Sequence, residues 1–205
     1  MLELIKDELE FKKYKKRFSY FLNESINFEN NPFNESFISF LSFDFDLIYN
    51  KLFFDGLKIF LHNIDTSSFV FYTIEPDQVN YFYYHFNKYS TVLINNTNTD
   101  EDFNNILMED PGNSPADALA INSSVISLFS SSDDWVILCS RDFEIGIIGF
   151  TNIKIMEIFL YSFETIKESF IPLKELIGRN KKVLSYTEKE NRMLNTLLKS
   201  YPCWA

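Results

Sequence analysis

The chain of 205 residues is poor in the residues that most often announce chemistry. It has two cysteines, two histidines and five glycines. Cys139 and Cys203 lack the spacing of a zinc site or of a disulfide framework, so both read as reduced, non-catalytic thiols. His62 and His85 form no H-x-x-x-H or H-E-x-x-H pattern, which removes the usual sequence grounds for a metal site. The glycines contain no G-x-G-x-x-G, no phosphate-binding loop and no G-x-S-x-G elbow. No apolar run approaches the roughly 18 to 20 residues of a membrane span. The first residues, MLELIKDELEFKKYKKRF, alternate charged and apolar positions instead of carrying the apolar centre of a secretion signal, and a cytoplasmic protein is expected. No catalytic residue, cofactor or metal is indicated.

Aromatic residues and acids are plentiful, with 23 Phe, 11 Tyr and a net charge of -10. The charge is unevenly spread. Residues 1 to 17 carry six basic against four acidic residues, and residues 174 to 205 seven against three. Residues 18 to 173 therefore hold six basic against twenty-two acidic residues, a net -16. Such a centre repels nucleic acid and anionic lipid and attracts a basic partner.

The length predicts one domain over 1–205, with a C-terminal helical extension from about 179. Leu2, Ile5, Leu9, Tyr14, Phe18 and Phe21 recur near a 3.6 period and predict a helix over 2–22. Residues 23–36 read as a loop. SFLSFDFDL alternates like a strand, yet Phe45, Ile48, Leu52 and Phe53 favour a helix over about 44–55, ended by Gly56. LKIFLHNI (57–64) and SSFVFYTIEP (67–76) predict a hairpin. A short helix or aromatic edge is expected over 77–88 and a strand over 89–96. Thr99 predicts a capped helix over 100–108, and Ser114-Pro115 a helix through ADALAI. Two strands flank Arg141-Asp142, and Trp135, Ile137, Cys139 and Arg141 share one face. A long helix runs from Ile153 to Phe170, followed by a short one to Gly178. The capping box Thr187-x-x-Glu190 opens a last helix. The fold expected is α+β, with a mainly antiparallel central sheet flanked by N-terminal and C-terminal helices.

Asp44 and Asp46 suggest a carboxylate pair for a divalent metal, but on a helix positions i and i+2 point apart, so a solvated edge is expected. Between residues 99 and 144 the acids Asp100, Glu101, Asp102, Glu109, Asp110, Asp117, Asp133, Asp134, Asp142 and Glu144 face a single base, Arg141. Self-repulsion of this kind suits a surface in use.

DDWVILCSRDFEIGIIGF, with Trp135 heading a strand, an Arg-Asp turn and Glu144-Ile145-Gly146 starting the return, resembles the W-x-I-x-x-x-R-D-x-E-I motif of bacterial immunity proteins that accompany polymorphic or contact-dependent toxins. The resemblance covers about 20 residues. It implies a small cytoplasmic, non-enzymatic α+β protein that occludes a toxin domain, commonly a basic nuclease. It also implies an acidic partner surface, for which Asp100, Glu101, Asp102, Glu109, Asp110, Asp133, Asp134, Asp142 and Glu144 are candidates, with Trp135 as an anchor. SYTEKENRMLNTLL is similar to the opening of the LuxR-type helix-turn-helix, but a capping box before an amphipathic helix writes the same letters. Two other readings stand beside these. One is a ligand-binding sensor or regulatory domain with an aromatic-lined pocket; the other is an enzyme assembling Glu75, Asp77 and His85.

Overall fold

In the computed structural model, residues 2–23 and 31–201 are described. The runs VISLFS, WVILCS and IGIIGF form β4 (Val125–Ser130), β5 (Trp135–Ser140) and β6 (Ile145–Phe150), and every residue in them is buried. Burial on both faces explains their continuous apolar character, since strands with one wet face alternate. With β1 (Ser39–Asp44), β2 (Ser68–Glu75) and β3 (Thr91–Asn95) they make a six-stranded sheet, ordered β1-β6-β5-β4-β2-β3. All neighbours are antiparallel. The α+β expectation, with an antiparallel sheet and helices at both ends of the chain, is what the structure shows.

Alternate side chains of the strands feed two cores. On one face Phe71, Leu128, Trp135, Ile137, Cys139 and Ile148 pack with α2 (Lys51–Asn63), α4 (Asp100–Leu107) and α6 (Ile153–Ser162). On the other, Tyr72, Phe129, Val136, Leu138 and Ile147 pack with α1 (Glu8–Phe21), α7 (Leu173–Asn180) and α8 (Glu188–Ser200). Gly146 lets β6 pass under Phe43 of β1, because a Cβ there would stand 2.3 Å from the ring.

Several sequence expectations are corrected. The hairpin over 57–64 and 67–76 does not form: LKIFLHNI is the second half of α2, and only β2 is a strand. Phe53, Phe54, Leu57, Phe60 and Leu61 are buried at i, i+1, i+4, i+7 and i+8, a helical stripe that β-favouring composition concealed. Gly56 is therefore inside α2, against Phe163, and not at its end. Ahead of it, β1 and a 3-10 turn (Phe45–Tyr49) replace most of the helix expected over 44–55. The first helix begins at Glu8, capped by Asp7; Leu2, Leu4 and Ile5 are buried as extended chain, and Leu9 is 76% exposed. Ile5 bonds the backbone of Thr91 and Tyr89 beside β3.

The helix expected from Ile153 to Phe170 breaks after Ser162 into a 3-10 segment (Glu164–Ser169). The break sets Phe163 against Phe159 and Phe170, with centroids 4.2 and 5.2 Å away. Pro115–Asp117 forms a 3-10 turn and α5 (Leu119–Asn122) follows it, in place of one helix. Residues 78–86 are a π-helical turn continued by α3 (Tyr84–Phe86). α7 runs through Gly178 to Asn180. The capping box at Thr187 and the cap at Thr99 form as expected, and the Thr99 cap closes as a full box with Asp102. α8 buries Leu194 and Leu197 in the second core, which makes it a cover for the sheet. Cys203 and residues 24–30 of the expected loop lie outside the described residues.

Candidate functional site

The turn between β5 and β6, Arg141 to Glu144, is built from both helical layers. Arg141 donates to the carbonyls of Ala120 at 2.7 Å and Ser123 at 3.3 Å and to the Tyr49 hydroxyl at 3.5 Å. Its guanidinium lies 4.8 Å from the centre of the Phe45 ring. From the opposite layer the Asn180 amide donates to the carbonyls of Phe143 and Glu144 at 3.2 and 3.1 Å, and Tyr186 donates to that of Phe143 at 3.0 Å. These contacts hold Glu144 in the left-handed region, at φ 52°. A non-glycine residue stays there only where its surroundings over-determine it.

β1 pairs with β6, with Asp44 opposite Ile145, and this brings its acidic end beside Glu144. The Asp44 carboxylate caps the following turn by accepting the Asp46 amide at 3.1 Å. One carboxylate oxygen from each of Asp44, Asp46 and Glu144 lies within 4.8 Å of the others. Asp44 and Asp46 are exposed and Glu144 is half-buried. Burial pushes the Glu144 carboxyl above its ordinary range; Asp46 and Asp44 add to the rise, and Arg141 opposes it. No match to a protein family, a curated protein or a solved structure is found for this chain.

Chemically the cluster is an acceptor for positive charge. Asp44, Asp46 and Glu144 are the described residues grouped closely enough to hold a metal ion, although three carboxylates alone fall short of the 6 to 8 oxygens calcium prefers unless they bind two-fold or water joins them. Among the described residues no thiol nucleophile is offered, because Cys139 is wholly buried and burial drives its pKa up, away from thiolate.

The candidate acids do not form one surface. Asp142 and Glu144 flank the turn at this end of the sheet. Asp133 and Asp134 stand at the other, one six-residue strand or roughly 17–20 Å away. Asp133 pairs with Arg17 at 2.6 Å, and Asp134 accepts from the Ser132 hydroxyl and from Thr151 at 3.3 Å. Asp100, Glu101 and Asp102 open α4, following β3 off that same end. The Thr99 backbone N–H, donated to Asp102, holds this carboxyl below its ordinary range. Glu109 is bound by Lys88 at 3.1 Å, and Asp110 accepts the amides of Gly112 and Ser114.

Trp135 cannot anchor a partner. It is 0% exposed, packed beside Phe60 at 5.5 Å, and its indole N–H has no hydrogen-bond partner among the described residues. Nor do Glu75, Asp77 and His85 share a hydrogen bond. Glu75 accepts from Ser124 at 3.5 Å, Asp77 caps Val79 and Asn80, and His85 lies against Tyr81 and Tyr84. The reading of Asp44 and Asp46 as a solvated helix edge is overturned, since the first closes a strand and the second sits in a 3-10 turn. The alternation in SFLSFD was the signal for that placement. Tyr49, Asn180 and Tyr186, which fix the turn, carry no sequence mark of their role.

Proposed function

We propose that this is a non-enzymatic binding protein whose acidic sheet end, centred on Asp44, Asp46 and Glu144 with Asp142 beside them, receives a cationic group of a basic partner protein. The carrying observation is the convergence of three carboxylates on a doubly clamped turn while the donors of the nearest base, Arg141, point to Ala120, Ser123 and Tyr49. Fixed charges aimed at an incoming lysine or arginine favour fast, salt-sensitive association. With the motif around Arg141-Asp142, this supports a bacterial immunity protein acting in the cytoplasm on a cognate toxin domain, such as a basic nuclease, and not on nucleic acid or membrane.

The test is to look for a large secreted-toxin reading frame adjoining this one and to measure binding to its C-terminal domain by calorimetry. A double Asp44→Lys/Asp46→Lys change is expected to weaken the complex by about tenfold or more. Raising the salt from about 50 to about 300 mM is expected to weaken the wild-type complex and to affect the double variant less. A complex indifferent to both changes, or no complex, overturns the proposal.

A further inference from the structure

A second site lies on the other face, near the opposite end of the sheet, and is independent of the acidic one. α1 crosses β2, β3 and β4 with Phe11 stacked on Tyr89 at 3.9 Å and Phe18 stacked on Tyr72 at 4.7 Å. Between Lys13 and Tyr20 the helix borders a groove of about 450 Å³. Its accessible apolar surface comes from half-buried Leu93 and exposed Tyr20, with Val70, Phe129 and Tyr14 buried beneath and beside them. Val70 and Leu93 are direct cross-strand partners, so Leu93 stands beside an apolar neighbour. Leu93 is only half-buried, so the helix does not finish covering this corner.

The rim is basic in a chain of net charge -10. Arg17 lines the groove, but its charge is matched by Asp133 at 2.6 Å and it also donates to the Ser131 carbonyl. Lys13 and Lys16 line the groove too, and neither forms an ion pair among the described residues. Two unmatched ammonium groups therefore stand over an apolar floor in a cavity of small-molecule size. From this charge complementarity we infer that the groove binds an amphipathic monoanion, a carboxylate on an unbranched acyl body. The head lies between Lys13 and Lys16, and the body lies along Leu93 and Tyr20.

Decanoate tests this directly, with 1-decanol as its neutral counterpart, by isothermal titration against the full chain. Decanoate is expected to bind at least about tenfold more tightly than decanol. Lys13→Glu/Lys16→Glu is expected to lower decanoate affinity by about tenfold or more, and Leu93→Glu, at a half-exposed position, to abolish it. Lys15, exposed on the same helix but outside the groove, serves as the control, and Lys15→Glu should leave binding unchanged. Circular dichroism checks that each variant is folded. Equal affinity for the acid and the alcohol, absence of decanoate binding, or a Lys15→Glu loss as large as that of the groove variants would each overturn the inference. The acidic end is untouched by these changes, so its own test stands separately.

Discussion

Glu144 is held against two preferences at once, a left-handed backbone and a carboxylate crowded by Asp46 and Asp44 in a half-buried position. Because its folded pKa is raised, the native state holds a proton at this group more firmly than the unfolded chain does. Its contribution is then most favourable at low pH and is lost as pH rises through the window above the ordinary glutamate value. Glu144→Gln, which cannot ionise, should gain on the wild type in urea midpoint as pH goes from about 4 to about 7. A constant gap between the two across that range would contradict the crowding. Asn180 has the converse role. Its amide satisfies two carbonyls of the turn, so Asn180→Ala should destabilise by about 1–3 kcal/mol in urea unfolding. The same change should weaken partner binding although Asn180 is buried, because it loosens the backbone that aims Glu144. Of this site, Asp142 and Glu144 stood out in the sequence as acids beside a lone arginine. Their joining with Asp44 and Asp46 depends on a strand pairing between distant parts of the chain, which no local pattern encodes.

Among the elements, those legible in the sequence are governed by their own residues. The Thr99 and Thr187 caps form because each capping box is closed within four residues. β5 and β6 read as strands because burial on both faces permits nothing but apolar and small side chains, whereas β4, buried in the same way, is not singled out in the sequence. α2 was misread because its partners are remote. Its apolar stripe meets the sheet and α6 together, so phenylalanine, isoleucine and leucine crowd a helix until it looks like a strand. Gly56 was misread with it, as an end when it is a contact. Alanine in place of an interior helical glycine normally gains about 1 kcal/mol. Here the added Cβ would stand 2.6 Å from the Phe163 ring, and overpacking of that kind costs about 1–3 kcal/mol. Gly56→Ala should thus lower stability despite the better helix former, by about 1 kcal/mol net in chemical denaturation. A stabilised variant would show that α2 and α6 can move apart.

Across the whole molecule, charge and topology divide the acids in a way their order along the chain conceals. Asp133-Asp134 and Asp142-x-Glu144 look like one patch in sequence, yet β5 carries them to opposite ends of the sheet. A net charge of -10 still acts on the molecule as self-repulsion, partly relieved by the local ion pairs. Raising sodium chloride from about 20 to about 300 mM should therefore raise the melting temperature by a few degrees, and a melting temperature that falls with salt would contradict this. The strand order also has a consequence in time. β1 lies beside β6, and among the described residues its backbone neighbour on the other side is Ile171 alone, which bonds Ser42. At synthesis rates of about 5–20 residues per second, the roughly one hundred residues between β1 and β6 correspond to about 5–20 s during which SFLSFD has left the ribosome without its ladder. Asp44 and Glu144 straddle that same seam. The growing chain thus brings Glu144 beside Asp44 only when the sheet takes its last strand, and the clamp on that turn follows later still, with Asn180 and Tyr186.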